Sequence, residues 1–112
     1  MLTRRQDELF SHAARLALRG AYAARDGDKP SSLKPLLEAW NEIEGLARSV
    51  PFTARPVAWK IFTSAVARRP AIQTGRADNE QLRQFGQECV LLFKIGRGDD
   101  PARYPLEFGD YY

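Results

Sequence analysis

Between Ser32 and Pro51, the residues Leu33, Leu36, Leu37, Trp40, Ile43, Ala47 and Val50 recur every three or four positions. That is the period of an α-helix with one buried face. Lys34, Glu38, Asn41, Glu42, Arg48 and Ser49 fall on the opposite side. A strand alternates with a period of two and cannot gather this set on one face. The pattern predicts a helix starting at Ser31 or Ser32, with Pro35 tolerated in its first turn and Pro51 ending it. A helix with a stripe this wide is stable only against other helices or a sheet, so its neighbours decide the fold class.

The neighbours read as helices too. Thr3 and Gln6 have the spacing of a capping box, and the first helix is expected to run to Arg25. Its apolar face comprises Leu2, Leu9, Ala13, Leu16, Gly20 and Ala24, flanked by Phe10, Ala17 and Ala21. The small residues in that stripe allow close approach of a partner helix. Asp26-Gly27-Asp28-Lys29-Pro30 reads as a loop. Thr53 and Pro56 open a third helix, whose buried face is Val57, Ala58, Ile61, Phe62, Ala65 and Val66, and Arg68-Arg69-Pro70 closes it. After a loop from Pro70 to Ala77, Asp78 and Gln81 repeat the capping-box spacing. The fourth helix carries Leu82, Phe85, Gly86, Cys89, Leu92 and Phe93 on one side and stops at Gly96. Val90 and Leu91 make it apolar nearly all round, which leaves a short strand over Cys89–Ile95 as the competing reading. The expected fold is all-α: a four-helix bundle over residues 1–96, followed by an irregular, aromatic C-terminal tail over 97–112 that docks on the bundle or on a partner.

The chain has 112 residues, enough for one domain. Burial of its large apolar side chains, at roughly 2 kcal/mol each, offsets the ordering entropy of a chain this size. One cysteine, Cys89, excludes an intramolecular disulfide and fits a reducing compartment. Its neighbours Val90, Leu91, Leu92 and Phe93 predict a buried, inert thiol. No apolar run approaches the ~20 residues of a membrane span. The charged N-terminal segment does not resemble a signal peptide, so a cytoplasmic location is expected. Charge is uneven along the chain: residues 51–97 hold 8 basic and 3 acidic side chains, and residues 98–112 hold 1 basic and 4 acidic.

Catalytic constellations are sparse. One His, one Cys and no ligand pair at zinc spacing argue against a metal centre. No Walker loop, dinucleotide glycine pattern or nucleophile elbow occurs, and no cofactor is expected. Gly96-Arg97-Gly98-Asp99-Asp100 leads to Pro101, not into a helix, and reads as a helix stop and turn. His12 is the single candidate general base near neutral pH, on a face with Arg4, Arg5, Arg15 and Arg19. Arg5 and His12, seven apart, resemble the Arg-spacer-His motif of helical HEPN-type ribonucleases. That resemblance implies a third reading, RNA cleavage through these two side chains. It covers two residues, lies on the first helix and lacks the polar neighbour usual in that family.

Two surfaces remain. Leu91 and Ile95 lie opposite the main stripe of the fourth helix and need a cover. Together with Tyr104, Phe108, Tyr111 and Tyr112 they make a candidate protein-binding surface, for a different protein or a second copy of the chain. Arg55, Trp59, Lys60, Arg68, Arg69, Arg76 and Arg83 cluster in the basic middle and could grip phosphates and stack a base. The leading expectation is a non-catalytic protein-binding factor: an adaptor, inhibitor or regulatory accessory protein, of bacterial, phage or plasmid origin. Nucleic-acid binding through residues 55–83 is the alternative.

Overall fold

In a computed structural model, which describes residues 3–49 and 56–96, the chain folds into four helices and no strand among those residues. They are α1 (Arg4–Arg25), α2 (Lys29–Ser49), α3 (Pro56–Gln73) and α4 (Asn79–Gly96). The expected all-α bundle is the fold observed. The strand reading of Cys89–Ile95 is excluded, because the segment is helical throughout. The tail, 97–112, lies outside the described residues.

Both predicted capping boxes form. Thr3 Oγ1 accepts from the Gln6 amide at 3.1 Å, and the Gln6 side chain accepts from the Thr3 amide at 2.9 Å. At the start of α4, Asp78 Oδ1 accepts from the Gln81 amide at 2.8 Å, and Gln81 Oε1 accepts from the Asp78 amide at 3.0 Å. Each box satisfies two amides that the helix itself cannot. Asp78→Ala is expected to lower stability by about 1 kcal/mol, read by urea unfolding.

Two helix boundaries differ from expectation. The second helix begins at Lys29, because Asp28, not a serine, supplies the capping oxygen, accepting from the Ser31 amide at 3.3 Å. Pro30 then sits in the first turn, where no amide is needed, and Pro35 falls inside the helix. Ser32 has a different task. It is buried, and its hydroxyl donates to the Gly20 carbonyl at 2.8 Å, tying α2 to α1. The third helix continues past Pro70 to Gln73. It ends at Gly75 (φ +72°), where the Arg76 amide bonds the Ala71 carbonyl and the Gly75 amide bonds that of Ile72. This is the left-handed stop that glycine permits. Buried Ile72 and Ala77 anchor the extra turn on either side of it.

Packing makes α4 the axis of the molecule. It touches α1, α2 and α3, while α2 and α3 barely meet. Leu82, Phe85, Cys89, Val90, Leu91, Leu92, Phe93 and Ile95 are all buried. A helix that is apolar all round belongs at a centre, and that is where this one lies. Close approach depends on two glycines. A methyl group on Gly86 would lie 2.7 Å from the Ala21 Cβ, and one on Gly20 would lie 2.5 Å from Leu36 Cγ. α1, α2 and α4 therefore meet with backbone nearly in contact. Phe10 and Phe93 add an edge-on pair at 6.1 Å across α1 and α4. No helix among the described residues is long and apolar enough to cross a membrane.

Candidate interaction surface

The outer face of α3 departs from the pattern of an exposed helix. Trp59, Thr63, Val66 and Pro70 follow one another at intervals of four, three and four, and all are exposed. Ala67 lies beside them, and Lys60 is a charged neighbour. Trp59 is 56% exposed and Val66 41%. The other face, with Ala58, Ile61, Ala65 and Ile72, is buried. The helix is thus apolar on both sides, yet only one side is covered.

Trp59 is firmly mounted. Its ring stacks on Phe62 at 6.0 Å, Phe62 stacks on Trp40 at 5.4 Å, and Trp40 leans on Phe85 of α4 at 5.5 Å. Four aromatic rings therefore run from the centre of the core to the surface. The Trp40 indole donates to Glu44 Oε1, which also receives Arg69 at 2.8 Å. Buried indoles need such a partner, and here the partner also clamps α3 to α2.

The sequence-predicted residues distribute differently from expectation. Leu91 and Ile95 are 0% and 2% exposed within the single chain, so they offer no accessible surface. Their cover is the bundle itself, a consequence of the axial position of α4. Tyr104, Phe108, Tyr111 and Tyr112 lie outside the described residues, as does Arg55. Of the basic set, Trp59, Lys60 and Arg76 are exposed. The arginines Arg68, Arg69 and Arg83 are not free. Each pairs with a carboxylate: Arg68 with Glu88 at 3.5 Å, Arg69 with Glu44 at 2.8 Å and Arg83 with Glu80 at 2.5 Å. Hydrogen bonding to Arg83 holds the Glu80 carboxyl below its usual range. Three of the eight basic side chains of the middle segment are therefore already engaged with particular carboxylates, a pairing that the linear count does not reveal.

Glu88 is the unexpected residue. Its side chain is wholly inaccessible, and neither oxygen accepts a well-formed hydrogen bond. Burial pushes its carboxyl above the ordinary range, against the pull of the Ser64 hydroxyl and the Arg68 charge. Cys89 is buried as expected, and desolvation, with Glu88 beside it, drives its thiol far up, away from thiolate chemistry.

Arg5 and His12 do share a site. With Glu8 and Leu9 they line a shallow, open depression on α1. His12 is exposed, and no side chain among the described residues hydrogen-bonds its ring. A general base is normally oriented by such a bond. No group of three His, Cys, Asp or Glu among the described residues could hold a metal ion. Compared with known protein families, characterised proteins and solved structures, the chain gives no match.

Proposed function

We propose that this protein is a non-catalytic binding factor that docks another protein through the outer face of α3. One observation carries the reading: a half-exposed tryptophan, Trp59, stacked on Phe62 at the outer end of a run of aromatic rings and continued by Val66 and Pro70. Tryptophan is over-represented among residues that dominate binding energy, and pre-ordering its ring lowers the entropy lost on docking. Solvation alone gives no reason for an uncharged row of this length on a helix. A lone buried thiol fits a cytoplasmic setting for that encounter.

The test is capture from native lysate on immobilised wild-type protein and on Trp59→Asp, each checked for native helicity. A partner retained by the wild type is expected to fall at least tenfold on the variant, since truncating a binding hot spot costs about 2 kcal/mol or more. Sedimentation of the same two proteins covers the case in which the partner is a second copy. There a concentration-dependent dimer is expected to dissociate in Trp59→Asp. Equal retention on both proteins, or a wild type that stays monomeric and captures nothing, overturns the reading.

A further inference from the structure

The exposed positive charge of the described residues is concentrated on α1, not in the basic middle segment. Arg5, Glu8, His12, Arg15 and Arg19 follow one another at intervals of three, four, three and four, and all five are exposed. At 3.6 residues per turn they occupy an arc of about 80° over roughly 21 Å of helix. Arg5, Arg15 and Arg19 make no ion pair or side-chain hydrogen bond among the described residues. Glu8, the one anion in the row, is engaged with Arg4 on its flank at 3.3 Å. The contrast with Arg68, Arg69 and Arg83 is direct, since each of those has its own carboxylate.

We propose that this row is a docking surface for the phosphate backbone of a nucleic-acid duplex. Each strand of duplex DNA carries one phosphate per ~3.4 Å of axis, so a row of this length spans about six on one strand, and three guanidinium groups can reach them without first leaving a partner. The row holds no Phe, Tyr or Trp, which single-strand binders use as stacking platforms. It is therefore built to read backbone charge and not bases. An anionic membrane fits less well. An interfacial helix needs an apolar face to insert, and that of α1, with Phe10, Ala13, Leu16 and Ala17, is buried in the bundle.

Anisotropy titrations of short labelled DNA and RNA duplexes test the proposal. Wild-type affinity is expected to fall about 40-fold for a fourfold rise in salt, the value for three phosphates neutralised. Arg5→Ala/Arg15→Ala/Arg19→Ala is expected to abolish that dependence and lower low-salt affinity by at least as much. Trp59→Asp is expected to leave duplex binding unchanged, which separates this surface from the α3 face. The proposal is overturned if the wild type binds neither duplex at low salt, or if the triple variant keeps the wild-type slope. It is also overturned if Lys60→Ala/Arg76→Ala removes binding as completely. Binding to phosphatidylglycerol vesicles with higher affinity than to either duplex, lost in the triple variant, would reassign the row to membranes.

Discussion

Truncating Trp40 to alanine is expected to destabilise the protein by about 3–5 kcal/mol, a large part of the 5–15 kcal/mol that holds a typical domain together. The ring is 1% exposed and touches elements on either side of it: Phe62 of α3 and Phe85 of α4. α2 and α3 have little other backbone contact, so this ring carries much of the packing between them. The loss is also polar. Glu44 would keep Arg69 but lose the indole donor, and a half-buried carboxylate loosens when one of two donors goes. Trp40→Phe keeps most of the apolar volume but removes the indole N–H together with two ring carbons, so it is expected to cost about 1–2 kcal/mol. Urea unfolding of the three proteins decides. A Trp40→Ala cost below about 1 kcal/mol would mean that α3 is not held through this ring. The variant also bears on function: with Phe62 freed from its stack, Trp59 loses its support, and partner capture should weaken along with stability.

The helices were legible because their signals are local. Each needs only a periodic apolar stripe and a stop, and Thr3 with Gln6, or Asp78 with Gln81, can be read within four residues. The errors at Ser32 and Pro70 arise where tertiary contact overrides local preference. Ser32 is a sound cap by type, but Asp28 was available and the buried carbonyl of Gly20 needed a donor. Pro70 forfeits one hydrogen bond, yet Ile72 gains a place in the core two residues further on, and burying an isoleucine is worth about 1.5–3 kcal/mol.

The surfaces were harder to read, since a charge count cannot see across helices. Arg69 and Glu44 are 25 residues apart, and no count along the chain shows that Arg68, Arg69 and Arg83 each face a particular carboxylate. Leu91 and Ile95 looked uncovered because the fourth helix was given one buried face. With three helices around it, it has no outside for them to occupy. A usable signal for the α3 face was present in the sequence: Trp59, Thr63, Val66 and Pro70 share a helix face that contains no charge. Counting Val66 with the buried face and Trp59 with the basic cluster hides it.

Glu88→Gln is expected to stabilise the protein at neutral pH by about 1 kcal/mol, and Arg68→Ala to destabilise it by about 3 kcal/mol, opposite signs from the two halves of one ion pair. The carboxylate has left water entirely, while its partner stays 3.5 Å away and about a quarter exposed. At that distance, attraction does not repay desolvation, and the upward displacement of the Glu88 carboxyl expresses the deficit. Glutamine keeps the shape and removes the charge, and Arg68 can turn to water. Alanine at position 68 instead leaves the buried carboxylate with only the Ser64 hydroxyl nearby. The sign of the pH effect follows. A carboxyl raised in the folded state holds its proton more tightly there than in the unfolded chain. Its contribution to stability is full below its usual 4.5 and is lost as pH rises through the folded value. Glu80, held low by Arg83, acts in the opposite sense, with a contribution lost on acidification. It is common to wild type and variant, so the difference between them isolates Glu88. That difference should be small at pH ~4 and grow in favour of Glu88→Gln toward neutrality. Unfolding curves of wild type, Glu88→Gln and Arg68→Ala across this range decide the matter. A glutamine variant less stable than wild type at neutral pH would show that the pair is worth more than its desolvation, and that α3 is held to α4 by charge.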